Sequence, residues 1–161
     1  MKPNAITMKT KSLVLLALIV SPLVHAGPKK AAERLRQAPE AVRKTVADHS
    51  RGGVVDDFDT IRIDGKTIHV AEIELPLDLK LYVSEDGALI KIREEIPTAN
   101  APAAVLDAAR PLGDSIKEVE KETAGESITY RVEVKRKGQA DLDLHLTADG
   151  KILSQKLDAD K

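Results

Sequence analysis

Asp141, Asp143 and His145, set two residues apart, bring two carboxylates and an imidazole together, a donor set that suits a divalent cation. They alternate with Leu142, Leu144 and Leu146, which reads as one strand with leucines inward and polar groups outward. Steps of two residues along a strand separate side chains by about 6.6 Å, which is wide for one ion, and a solvated strand face accounts for the same pattern. Asp56, Asp57 and Asp59 form a second acidic group, but it lacks the glycine and closing glutamate of a calcium loop. Past position 26 the histidines are His49, His69 and His145, and there is no cysteine. No Gly-x-Ser-x-Gly, His-Glu-x-x-His or phosphate-binding loop is present. His49 falls at a predicted helix end, where the helix dipole favours a cation. The residues point to a protein that is not an enzyme and carries no cofactor.

Aromatic residues are scarce: Phe58, Tyr82, Tyr130 and no tryptophan. Sugar-binding platforms and nucleic-acid stacking surfaces need aromatic faces, so neither is expected. Removing the three lysines of the first 26 residues from 25 basic against 26 acidic side chains leaves a net charge near −4, unlike a polyanion binder. No nucleic-acid partner is expected.

The elements that position these residues begin after an apparent leader. Lys2, Lys9 and Lys11 precede an apolar run from Leu13 to Val20, Pro22 ends it, and Val24-His25-Ala26 offers small residues at the positions a signal peptidase reads. Eight apolar residues are too few to span a bilayer, which takes about 20. Residues 1–26 are therefore expected to be a cleaved signal peptide, with export to the periplasm or beyond and no stable membrane insertion afterwards. Without cysteine, stability in an oxidising compartment must come from packing.

The remainder shows internal similarity. Ala38-Pro39-Glu40-Ala41-Val42 matches Ala101-Pro102-Ala103-Ala104-Val105, and the segment Asp78 to Gly87 matches Asp141 to Gly150. Two copies are expected, 27–96 and 97–161, each a helix followed by four strands. The predicted strands are Val54 to Ile63, Thr67 to Leu75, Leu79 to Val83 and Leu89 to Arg93. In the second copy they are Ile116 to Thr123, Ile128 to Val134, Leu142 to Leu146 and Ile152 to Leu157. Asp64-Gly65, Asp86-Gly87 and Asp149-Gly150 supply hairpin turns. Pro39 suits a first helical turn, and Leu35, Val42, Val46 and His49 share one helical face. Pro111 predicts a short or kinked helix in the second copy. The fold class is α+β, a tandem repeat in which each unit packs one helix on a four-stranded antiparallel sheet.

Alternation assigns an outward face to each sheet. The first presents Glu72, Glu74, Lys80, Tyr82, Lys91 and Arg93, with Tyr82 as a candidate interface anchor flanked by Lys80 and Arg93. The second presents Arg131, Glu133, Asp141, Asp143, His145 and Lys156.

The order of helix with Ala-Pro-x-Ala-Val, strand, Tyr-x-Val-x-Val and closing Asp-Gly-Lys-Ile-Leu resembles the PepSY-like domains of exported bacterial proteins. Ile116 to Val119, Tyr130 to Val134 and Asp149 to Leu153 carry the pattern best. His69 to Leu75 lacks the tyrosine, and Ala88 stands in place of lysine. The tandem plan is also similar to the fold of β-lactamase inhibitory protein. The resemblance spans Gln37 to Asp158 and implies a periplasmic or secreted, non-enzymatic module that binds or inhibits a peptidase or another envelope protein or peptide. A metal or small-ligand carrier and an accessory structural envelope protein are the alternative expectations.

Overall fold

The computed structural model describes residues 27–158; the predicted leader and its cleavage point lie outside the described residues. Helix α1 runs Pro28–Gln37 and α2 Glu40–His49. Four strands follow, β1 Val54–Ile63, β2 Lys66–Glu74, β3 Leu79–Ser84 and β4 Leu89–Glu95. After α3, Ala103–Ala109, come β5 Ser115–Ala124, β6 Ser127–Lys135, β7 Asp141–Thr147 and β8 Ile152–Asp158.

The expected architecture of two units, each with its own four-stranded sheet, is overturned. There is one antiparallel sheet of eight strands in the order β1 to β8. β4 pairs with β5 from Ile92↔Thr123 to Glu95↔Glu120, which joins the halves through their facing edges. An unpaired edge leaves a row of backbone donors and acceptors unused. Internal similarity cannot reveal that two such edges, separated by α3, satisfy one another.

The predicted first helix is also two helices. Ala38 is extended, with ψ 156°, because the residue before a proline is pushed out of the helical region. Arg43 clamps the elbow, its Nη1 donating to the carbonyls of Arg36 at 2.8 Å and Ala38 at 3.3 Å. Helix α3 is short, as Pro111 predicts, and gives way to a 3-10 turn at Arg110–Leu112.

Cross-strand register shows that the helices share one side of the sheet. Ile73, Leu79, Glu94, Lys121, Tyr130 and Leu146 form one row of directly opposed residues from β2 to β7. At one end of that row, α1 and α2 bury Ala31, Ala38, Val42 and Val46 against Phe58, Ala71, Ile73, Leu79, Leu81 and Val83. At the other, Val105, Leu106 and Ala109 of α3 bury against Val119, Tyr130, Val132, Val134, Leu142, Leu144 and Leu146. A polar seam divides the clusters: Glu94 contacts Arg51 at 2.9 Å and Lys121 at 3.6 Å.

The hairpin turns dock the helices. Gly87 and Gly150 both have positive φ, 86° and 84°, and a Cβ on Gly87 would lie 2.6 Å from the Cβ of Ala41. A Cβ on Gly150 would collide with the carbonyl of Ala104. The Ala-Pro-x-Ala and Asp-Gly motifs are thus two sides of one contact, made once under α2 and once under α3.

Candidate functional site: the helix-free sheet face

The opposite row, Glu72, Lys80, Arg93, Glu122, Thr129 and Thr147, runs across the face that carries no helix among the described residues. Charged residues cover it, and they are partly sunk among neighbours. Lys91 Nζ donates to Glu122 Oε2 at 3.1 Å, and Arg93 Nη2 donates to the same oxygen at 3.2 Å. Arg93 Nε also lies 3.6 Å from Glu120 Oε2, and Lys80 pairs with Glu72 at 3.0 Å.

Alternation places Tyr82 on this face, yet the ring is buried, only 9 % exposed. It packs with Ile68 and Val70, flanked by Ile61 and Ile63. Lys91 Nζ lies 4.1 Å from the ring centre and the Arg93 guanidinium 5.6 Å, both at cation–π range. The expectation of an open aromatic anchor is therefore corrected: long basic side chains lie over the ring and shield it from water. Burial pushes the phenol above its ordinary pKa against the opposing pull of Arg93 and Lys80. Glu74 sits exposed at the end of β2, opposite Val54.

The side chains on β7 divide among different partners. Asp141 is buried and accepts from the Arg136 backbone N–H at 3.4 Å; Asp143 stands between Glu133 and Lys156; His145 Nε2 hydrogen-bonds with Thr129 Oγ1 at 2.8 Å. Among the described residues no three His, Asp or Glu side chains converge as a metal-binding group. The Asp56, Asp57 and Asp59 group lies at a bulge of β1, where Arg34 Nη1 contacts Asp59 Oδ1 at 2.7 Å and Asp57 Oδ1 at 3.8 Å.

Sequence reasoning missed the middle of the face. Glu118, Glu120 and Glu122 alternate along β5 and link the two halves. Their spacing of two was the available signal. Three like-charged pairs stand directly opposed there: Glu95↔Glu120, Glu118↔Glu133 and Glu133↔Asp143. Such pairs oppose sheet formation. Burial and then the neighbouring Glu120, Glu95 and Glu133 push Glu118 above the usual carboxylate range. Asp143 is likewise raised by burial, then by Glu133 and Asp158. Glu120 is raised by burial despite Arg93 and Lys80 beside it. Burial acts the same way on Glu122, but Lys91 and Arg93 outweigh it and hold that carboxylate low. The residues around Arg131 enclose a depression of about 190 Å³ lined by Glu118, Glu120, Glu133 and Asp143 together with Lys80 and Arg93. Lys80 pairs with Glu72, the basic side chains of β4 pair across the junction with Glu120 and Glu122, and the carboxylate surplus of the face lies on β5 to β7.

No family model matches the chain, and no curated protein matches it. Solved structures do. A protein of Bacteroides eggerthii, described provisionally as periplasmic, aligns with TM-score 0.61 and 16% identity over 74% of this chain and 88% of its own. A DUF2874 family protein of Bacteroides uniformis aligns with TM-score 0.59 and 16% identity, over 74% and 89%. A BLIP-like protein of Bacteroides fragilis aligns with TM-score 0.55 and 14% identity, over 77% and 89%. At these identities the likeness shows the fold alone: this chain shares its fold with these three Bacteroides proteins, one of them described as BLIP-like.

Proposed function

We propose that this chain is an exported, non-enzymatic module of the bacterial envelope that binds a protein or peptide on the helix-free face of its sheet. The observation that carries the reading is the one-sidedness of the fold. Among the described residues, α1, α2 and α3 pack on one side, and the other side of the eight-stranded sheet carries no helix. A face of this kind suits macromolecular contact better than small-substrate turnover, because it is broad and its polar groups are spread along several strands.

Export is supported by the basic, apolar and small-residue zones of the first 26 residues and by a fold neighbour described provisionally as periplasmic. Among the described residues no helix is long and apolar enough to cross a membrane. The surplus of carboxylates on β5 to β7 favours a partner that presents basic side chains there, and such charge matching mainly raises the association rate.

The test is affinity capture from envelope extract with the purified protein, against Glu118→Lys/Asp143→Lys on the face and Lys29→Glu/Lys30→Glu on α1. The reading expects a specific partner retained by the wild type and the α1 variant and lost by the face variant. Equal capture by all three would overturn it.

A further inference from the structure

The sheet has two edges, β1 and β8, and they are treated differently. Along β1 packs α1, and Arg34 Nη1 donates to the Phe58 carbonyl at 3.2 Å and to Asp59 Oδ1 at 2.7 Å. A helix laid on an edge strand keeps other chains from pairing with it. Among the described residues β8 has no such cover and pairs with β7 on one side only. Of the seven large apolar side chains exposed among the described residues, three lie on β8, so apolar exposure gathers at the uncovered edge. They are Ile152, Leu153 and Leu157, exposed by 39%, 42% and 53%. Leu157 stands opposite Leu142 and Gln155 opposite Leu144, so both project on the helix side, where α3 packs on β6 and β7.

β8 is the positional twin of β4. The two strands begin and end 63 residues apart, Leu89–Glu95 and Ile152–Asp158. The register break between Tyr82 and Val83 recurs between His145 and Leu146. In the first half this fourth strand uses its outer edge: Ile92 to Glu95 pair antiparallel with β5. The Glu95 N–H donates to the Asp78 carbonyl and the Ile96 N–H to the Val119 carbonyl. Backbone groups alternate in direction along a strand, so those turned toward β5 belong to Ile92, Glu94 and Ile96. The counterparts of Ile92 and Glu94 on β8 are Gln155 and Leu157, whose backbone groups face outward with no strand beside them among the described residues. The fold builds the same pairing edge twice and fills it once.

We propose that a second copy of this chain fills the β8 edge, the two β8 strands pairing antiparallel about a two-fold axis through Gln155. The strand is self-complementary in that register. All of Ile152–Asp158 overlaps, Leu153 meets Leu157 on both sides of the axis, and Ser154 meets Lys156. An axis through Lys156 would instead set two ammonium groups directly opposite each other, which opposes pairing. A head-to-tail arrangement would need the β1 edge, which α1 and Arg34 occupy. The contact therefore closes at two copies, as isologous contacts do. Its axis runs perpendicular to the sheet, so the helix-free faces of both copies lie on the same side and adjoin. The pairing does not depend on what those faces bind, and a crosslinker at Lys156 would register a second copy by its doubled mass, apart from any other partner.

The test is sedimentation velocity on protein purified after expression of the full-length coding sequence, with concentrations up to about 200 µM to reveal a dissociation constant in the micromolar range. A monomer–dimer equilibrium with no larger species is expected. Leu157→Lys, at an exposed position, should keep the circular dichroism spectrum and weaken the dimer about tenfold or more. The register is read by crosslinking, because the chain has no cysteine of its own. Directly opposed residues of a hydrogen-bonded antiparallel pair have Cα atoms about 5.5 Å apart, within disulfide reach. Gln155→Cys should therefore form a covalent dimer under mild oxidation, and Val54→Cys, exposed on the β1 edge, should not. A wild-type chain that stays monomeric throughout, as when the edge serves an extended segment of another protein, would overturn the proposal. So would species larger than a dimer, a dimer undiminished by Leu157→Lys, or equal crosslinking from Val54→Cys and Gln155→Cys.

Discussion

Tyr82 shows how far a single residue can be read from spacing alone. Alternation with Leu81 and Val83 put the ring on the helix-free side, and it lies there. Its burial was not legible, because that depends on Lys91 and Arg93 of the next strand folding over it. Tyr82→Ala should therefore destabilise the protein, by about 2–4 kcal/mol in urea unfolding, as loss of a packed ring does. A change under about 0.5 kcal/mol would mean that the ring is exposed after all. Glu122 supplies a second residue-level prediction. Its folded pKa lies below the unfolded value of about 4.3. A depressed carboxylate contributes stability that is fully present above the unfolded pKa and is lost as pH falls through the folded one. Glu122→Gln should lower stability by about 1–3 kcal/mol at pH 7, a magnitude typical of charged hydrogen bonds. The gap to wild type should close on acidification below pH 4. Glu120, raised by burial, should titrate at higher pH than Glu122 in carboxyl carbon NMR. The reverse order would show that Lys91 and Arg93 do not hold Glu122 as described.

At the scale of elements, all eight strands lie where alternation and Asp-Gly turns placed them, to within one or two residues. Strand periodicity is a local property, and here half-buried faces make it plain. Helices were less legible. Pro39 fits a first helical turn, but the same residue also ends the helix before it, and α1 was not anticipated as a separate element. The recurrence of Ala-Pro-x-Ala with Asp-Gly is visible as similarity, while its cause, a helix seated on a hairpin end, is a contact between residues more than 40 positions apart that spacing does not disclose. Gly87→Ala and Gly150→Ala should each destabilise more than Gly65→Ala in thermal unfolding. All three sit at positive φ, where a Cβ costs roughly 1–2 kcal/mol. A Cβ at Gly65 meets nothing within 4 Å, whereas at Gly87 and Gly150 it strikes Ala41 and Ala104. Equal losses at the three positions would remove the helix contact from the explanation.

The whole molecule departs most from what the sequence discloses. Two similar halves suggest two sheets, and strand order across a junction is set by which edges meet in space. The β4–β5 pairing makes the sheet continuous, so the two apolar clusters, although divided by the Arg51–Glu94–Lys121 seam, share one backbone framework. Leu81→Ala and Leu144→Ala, at fully buried positions of the two clusters, should each cost about 2–5 kcal/mol and each lower one shared transition. Two transitions, one moved by each variant, would show that the junction does not couple the halves. Continuity also makes the helix-free side one surface, and its use as a docking face is the central functional claim. Site-specific photo-crosslinking in intact cells tests that claim most directly, with the reactive side chain placed at Lys80 or Lys156 on the helix-free face and at Lys44 on α2. The account predicts a discrete protein adduct of the same mass from Lys80 and Lys156 and none from Lys44. An adduct from Lys44 with none from the two sheet positions would contradict it.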